Sequence, residues 1–387
     1  MGAHEQHGGE ESVLAALPGI EAHAHARAVL GPALPPVGSP SHAYLFHGPA
    51  GTGKRATARA FAAALLADGA ADPAAVAARV ERGAHPDLVW VAPSGATEML
   101  VADIEEPVVA AATRTPFESR RRVFVIEAAE TMNDQAANRM LKTLEEPPSY
   151  AHLLLLTDRR ADVLATIASR CQQVRFDPLP AARVAEALTA EGLAGVSEAT
   201  ALACARLAQG DAALARLLAG EAGTALRSAA EEFVRAALAA STHTRPWLGL
   251  LEAARAAGQL AGEQLGERVA QEAELLPSKE RKRYEREAGE SRRRGERRAR
   301  LRTLDTGLQL AELWLRDVLC VREGAPEVVL ACDRTAQLEQ DARGRDGDAL
   351  LRAVALVSDT RLSLALNVSE ELALEALAYR LQAVLTA

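Results

Sequence analysis

Aromatic side chains are scarce in this chain: Phe, Trp and Tyr together make up 3% of its 387 residues. That excludes a nucleic-acid binder built on stacking platforms, which needs an aromatic face for each base it holds. Cysteine is equally thin. Cys171, Cys204, Cys320 and Cys332 stand far apart with no C-x-x-C pair, so neither a metal knuckle nor a disulfide framework is expected. Reduced, packed thiols in a cytoplasmic protein are the plain expectation. No apolar run approaches the length of a membrane span, and the opening MGAHEQHGGEESVL lacks the charged-then-apolar order of a signal peptide. A net charge of −8 gives no overall attraction to DNA, so any such contact requires a local basic surface.

Hydrophobic residues, many of them alanine, make up 49% of the chain, which favours helices. The length suffices for two or three domains, each with its own core. A helical stretch is expected near 12–30, followed by the turn-rich GPALPPVGSPS. From residue 41 short apolar runs alternate with helical periodicity. AYLFHG, DLVWVAP, RRVFVIEAA, HLLLLTD and QQVRFDP read as five strands. Between them, KRATARAFAAALLADG, DQAANRMLKTLEEPP and DVLATIASR read as helices, the second with Ala136, Met140, Leu141 and Leu144 on one face and a stop at Pro147. Such alternation predicts a parallel sheet covered on both faces. Beyond PLPAARV the strand signal disappears. Residues 181–220 predict a small helical cluster with a turn at AQGDAAL, and the remainder a longer bundle interrupted by a basic run at 277–302.

HGPAGTGKR, residues 47–55, lies between the first strand and a helix. Glycines there let backbone N–H groups approach phosphate oxygens at a helix N-terminus, and Lys54 is placed to neutralise the outer phosphates. Gly48, Gly51, Thr52, Gly53 and Lys54 are the candidate nucleotide-binding residues. Two further groups needed for hydrolysis are missing. The position after the lysine is Arg55 rather than the Ser or Thr whose hydroxyl holds magnesium. In VFVIEAAE, Glu127 takes the metal-side position, but Ala128 stands where a water-activating acid belongs, and a methyl group accepts no proton. The loop therefore predicts no hydrolysis, and leaves open ATP held without turnover or a loop that serves only as scaffold.

HAYLFHGPAGTGK, HPDLVWVAP, NRMLKTLEEPP, TIASRCQQVRF and LALNVSEELALEAL occur in the order seen in bacterial clamp-loader subunits of the AAA+ class, and the chain resembles their delta-prime branch. The resemblance covers about 12–385 and is densest over 41–180. It implies an α/β AAA+ P-loop domain at 1–178, a helical lid at 179–222 and an all-α collar at 223–387 that oligomerises. It further implies a non-motor subunit of the DNA polymerase III holoenzyme without catalysis of its own. Gamma/tau and delta subunits would be its partners, and the sliding clamp and primed DNA would be met through the assembly. Arg170, in Ser169-Arg170-Cys171, matches the arginine that such subunits project into a neighbour's ATP site, where a guanidinium offsets charge on the transferred phosphoryl group. Thr157 matches the polar sensor position. Ala213 falls where an active ATPase carries a second sensor arginine, with Arg216 three residues away. The stretch 65–87 lacks the four cysteines of the family's zinc module, so no zinc is expected. The alternative is a gamma/tau-like motor using Lys54 and Glu127, which Arg55 and Ala128 disfavour. A remodeller lacking the collar is a third reading, disfavoured by the helical C-terminal part.

The run Lys279–Arg302 carries twelve Lys/Arg against five Glu, and reads as a solvated helix with a DNA or acidic-partner contact as its rival. ESRRRV at 118–123 reads as a solvated turn. His23 and His25, two apart on a predicted helix, cannot share a metal-binding face and are expected at the surface or partly packed. Near the C-terminus Val368, Leu372 and Leu374 are expected at the collar packing surface, with Asn367 as an N-cap and Glu370 completing a capping box.

Overall fold

A computed structural model of the chain describes residues 17, 19–36, 38–94, 98–192, 195–274, 278–364 and 368–386, with the backbone alone at 268, 271, 272, 274, 278–280, 282–285, 287 and 291. The described residues fall into two compact units, 1–179 and 180–387.

In the first unit the five apolar runs form strands β1 (Ala43–His47), β2 (Leu88–Val91), β3 (Arg122–Ile126), β4 (Ala151–Thr157) and β5 (Gln172–Arg175). All pair in parallel, in the order β2-β3-β4-β1-β5. Helices α1 (Ala24–Leu30), α2 (Lys54–Leu66), α3 (Pro73–Glu81), α4 (Val101–Ile104, continuing as a wider turn to Ala110), α5 (Asp134–Glu145) and α6 (Ala165–Ala168) connect and flank them. Side chains alternate across a strand, and here they divide into two cores. Leu45, Phe124, Ile126, Leu153 and Leu155 pack with α4, α5 and α6. Tyr44, Phe46, Val123, Val125, Leu154 and Leu156 pack with α1, α2 and α3. Phe61 of α2 is fully buried, with its ring edge-on to Tyr44 at 5.3 Å, and truncation to Ala would cost roughly 3–5 kcal/mol.

Local chemistry sets the helix ends. Asn133 caps α5 by accepting from the Ala136 amide at 2.9 Å, and the helix stops before Pro147 and Pro148, which cannot continue it. The expected helix near 12–30 is shorter: α1 begins at Ala24 after a single turn at Ile20–Ala22, and 12–16 lie outside the described residues. The 118–122 segment is a turn with Glu118 and Arg120 exposed, as expected, and its backbone is anchored from below. The fully buried Asp87 carboxylate accepts from the amides of Phe117, Glu118 and Ser119 at 2.6–2.9 Å, and Arg121 pairs with Asp68.

In the second unit every described element is helical: α7 (Ala181–Ala190), α8 (Glu198–Leu207), α9 (Ala212–Ala219), α10 (Glu221–Leu238), α11 (Trp247–Glu274), α12 (Ser278–Arg322), α13 (Thr335–Ala342), α14 (Gly347–Leu364) and α15 (Glu370–Leu385), with short single turns between them. The basic run does not interrupt the bundle; it forms the first half of α12, which pairs antiparallel with α11. Gly258, Gly262 and Gly266, one per turn along α11, face Arg300, Glu296 and Arg292 of α12, so the two backbones approach closely. Charge pairs within the helix support the solvated reading of this run: Arg292 with Glu296 at 3.4 Å and Arg294 with Glu290 at 3.8 Å. At the C-terminus Leu374 is buried while Val368 and Leu372 are exposed. Ser369 occupies the N-cap position of α15, Glu370 pairs with Arg300 instead of closing a capping box, and Asn367 lies outside the described residues.

Candidate functional site

β1 delivers the chain to the glycine loop at the C-terminal edge of the sheet, where open parallel sheets bind ligands. Gly48 has φ +144°, and a Cβ there would lie 2.1 Å from the Phe176 carbonyl oxygen, so only glycine fits. Gly53 adopts φ +90° as the N-cap of α2. Thr52 is buried and its hydroxyl donates to the Pro49 carbonyl at 2.9 Å, bracing the loop. Lys54 is almost completely buried. Its ammonium donates to the carbonyls of Gly48 (2.7 Å) and Pro49 (2.5 Å) and pairs with Asp158 at 2.8 Å. Asp158 follows Thr157, which pairs in register with His47 at the end of β1. The Thr157 hydroxyl accepts the Arg159 amide at 3.1 Å.

The end of β3 supplies Glu127 to the same edge. Its Oε1 accepts the Trp90 indole N–H at 2.5 Å and pairs with Nη2 of Arg55 at 2.7 Å. Arg59, one helical turn after Arg55, lies over the Trp90 ring at 4.9 Å. The residue in place of the magnesium hydroxyl thus sits on the acid expected to serve magnesium. Ala128 turns the chain with φ +50°, which costs a non-glycine residue roughly 1–2 kcal/mol. The Thr131 amide and hydroxyl both donate to its carbonyl, at 2.8 and 2.7 Å. Neither Trp90 nor Arg59 stands out in the sequence. Their signal is faint: an indole in a short strand, and an arginine four residues after Arg55.

His23 departs from expectation. It is 1% exposed, and its ring stands 4.9 Å from that of Phe176. Burial pushes its pKa below the ordinary histidine value, which keeps the ring neutral. His25 accepts the Arg175 amide at 3.1 Å. No cluster of His, Cys, Asp and Glu suited to a metal occurs among the described residues.

Arg170 is at the opposite edge of the sheet. β5 pairs with β1 from Tyr44–Gln172 onward, and Arg170, in the turn before β5, lines one cleft with Ser41 and His42 before β1. Six residues of extended chain separate His42 from Gly48, about 20 Å at the rise of a strand. Arg170 donates to the Thr166 carbonyl at 2.9 Å and pairs with Glu145 at 2.5 Å, beside an open cleft of about 460 Å³ lined by Ser41, His42, Glu145, Pro147 and Gln172. Cys171 next to it is buried, and burial pushes its thiol up to about 12, in keeping with a packing role. In the second unit Ala213 lies on α9, and Arg216 is bound to Glu191 at the end of α7, with Nε to Oε2 at 2.8 Å.

Residues 37–180 match the family described as DNA polymerase III, delta subunit. The chain is 40% identical over 147 residues to the DNA polymerase III subunit delta-prime of Pseudomonas aeruginosa, covering 37% of this chain and 44% of that one. With the delta-prime subunit of Bacillus subtilis it shares 37% identity over 145 residues, 36% of this chain and 43% of the other. The Bacillus subtilis tau subunit is 34% identical over 145 residues, 35% of this chain and 24% of tau. The chain thus matches less than half the length of these relatives. Over residues 37–180, with its parallel sheet and glycine loop, the chain is similar to part of the DNA polymerase III delta-prime and tau subunits.

Proposed function

We propose that this chain is a non-motor clamp-loader subunit of the delta-prime kind. It holds a nucleotide without turning it over and lends Arg170 to the ATP site of a gamma/tau neighbour. One observation carries the reading: Arg170 and the glycine loop occupy opposite edges of one sheet, about 20 Å apart along the strands. A guanidinium so placed meets a phosphoryl group only in another molecule. The ion pair to Glu145 keeps it at the surface until a neighbour's phosphates compete for it. Within the chain's own pocket, Arg55 on Glu127 and the methyl group of Ala128 leave nothing to position metal or activate water. This argues against the motor reading despite the identity with tau.

The second unit would join this chain to its partners, with 179–222 as the lid and 223–387 as the collar. Leu351, Leu362 and Leu372 on α14 and α15 are all more than half exposed, apolar area of the kind a neighbouring subunit covers. Delta and gamma/tau subunits are the partners of this reading, and the sliding clamp and primed DNA are met only by the assembly. The test is reconstitution with gamma/tau and delta subunits and measurement of DNA-stimulated ATP hydrolysis with Arg170→Ala. Turnover at the adjacent site should fall by about 10³-fold with assembly intact. A mutant assembly hydrolysing at the normal rate removes Arg170 from this role. Phosphate release by the isolated chain at a motor-like rate, abolished by Lys54→Ala, removes the non-motor reading.

A further inference from the structure

A P-loop that takes a nucleoside triphosphate ordinarily takes it with magnesium, held by the hydroxyl after the lysine and by an acid at the end of a neighbouring strand. The residues here do not fit that ion. Position 55 offers no oxygen, and Oε1 of Glu127 already carries both the Arg55 guanidinium at 2.7 Å and the Trp90 N–H at 2.5 Å. Magnesium demands near-octahedral oxygen ligands and gives up its waters reluctantly, and a guanidinium on the carboxylate repels it.

We propose that the Arg55 guanidinium, docked on Glu127 beside the glycine loop, takes the place of the divalent cation, so that the pocket holds the polyphosphate of a nucleotide in metal-free form. This rests on the nucleotide-holding reading above and says which form of nucleotide is held. Guanidinium is suited to this role because its planar fork presents five N–H donors and pairs with phosphate oxygens two at a time. Glu127 engages one terminal nitrogen, while 71% of the side chain remains exposed to an incoming ligand. The carboxylate that positions it is itself held. Trp90 donates to it, and Arg59 packs on the Trp90 ring. Lys54, anchored to the loop carbonyls and to Asp158, supplies the other cation, with the α2 N-terminus between them. Each cation is already paired, Arg55 with Glu127 and Lys54 with Asp158, so phosphate oxygens would be met by the unused N–H donors of the guanidinium and by the helix N-terminus, without a hydrated ion.

The test is calorimetric titration of the full chain with ATP, once in excess EDTA and once in excess magnesium chloride, alongside Arg55→Thr and Lys54→Ala. Arg55 is exposed, so its replacement leaves the core untouched. The wild type should bind ATP at least as tightly in EDTA as in magnesium. Arg55→Thr should lose about tenfold or more in EDTA, the worth of a charged hydrogen bond, and regain it when magnesium is added. A wild type that binds only with magnesium, or an Arg55→Thr unchanged in EDTA, overturns the cation replacement and leaves nucleotide binding standing. Absence of ATP binding in both buffers, or binding indifferent to Lys54→Ala, overturns the nucleotide reading and this inference with it.

Discussion

Arg227 of α10 offers the sharpest stability test because its surroundings are closed. Its guanidinium is 4% exposed and its partner Asp333 8%. Nη2 donates to both carboxylate oxygens, at 2.7 and 3.0 Å, and Nη1 reaches the Cys204 sulfur on α8 at 3.5 Å. One side chain therefore fastens α8, α10 and the turn before α13. Arg227→Ala strands the Asp333 carboxylate in a site with little water, which costs roughly 3–5 kcal/mol. For a unit of about 200 residues each kcal/mol lowers the midpoint by roughly 2–4 °C, so a fall of ~6–20 °C is expected by calorimetry. The double replacement Arg227→Met/Asp333→Leu should lose less than either single change, because the cost lies in the unpaired charge and not in the absence of the pair. An unshifted transition in Arg227→Ala, or a double variant as unstable as both singles added, refutes the argument.

His152 predicts an acid sensitivity. It is buried, its Nδ1–H donates to the Ser41 carbonyl at 2.9 Å, and its ring stacks on His42 at 5.5 Å. Burial, opposed by the Ser41 hydrogen bond and assisted by His42 and Arg121, pushes its pKa to about 4. The unfolded chain therefore takes up this proton first. The contribution is whole above an unfolded value of about 6.5 and is lost as pH falls towards 4, about 3 kcal/mol in all. Urea unfolding across that window should show a shallower slope in His152→Gln than in the wild type, the remainder coming from His23, His47 and His85, whose pKa values burial also lowers; an equal slope in both would assign it elsewhere. The α11–α12 hairpin predicts opposite outcomes for two glycines. A Cβ at Gly258 would stand 2.6 Å from Arg300 Cγ and 3.1 Å from the Glu296 carbonyl, whereas at Gly289 it meets nothing within 4 Å. Gly258→Val should destabilise by roughly 1–3 kcal/mol, and Gly289→Ala should stabilise by up to about 1 kcal/mol through helix propensity. Hydrogen exchange in the two helices reads both changes, and equal protection in the two variants would contradict the close approach at Gly258.

What the sequence determined by itself was local and periodic. Apolar runs bounded by turn residues marked the inner strands β1, β3 and β4, because a strand buried on both faces has to be apolar; the edge strand β5, Gln-Gln-Val-Arg, is largely exposed and was marked only by its place in the strand–helix alternation. Glycine spacing marked the loop, because φ values near +90° and a carbonyl 2.1 Å from a would-be Cβ admit no other residue. The loss of a hydroxyl at 55 and an acid at 128 was visible in the residue types alone. Only the tertiary structure decided which groups meet. Arg55 and Glu127 stand 72 residues apart, and nothing local signals that the first neutralises the second; the strand order β2-β3-β4-β1-β5 and the direction of α2 bring them together. The same holds for His23, whose neighbours in sequence suggest an exposed helix start while the Phe176 ring covers it from across the unit. It holds too for the solvated turn at 118–122, whose first amides are held by one distant buried carboxylate, Asp87. Periodicity records which side of an element is buried. It carries no record of what lies on the other side of the contact, and it is there that the charges of this pocket were set.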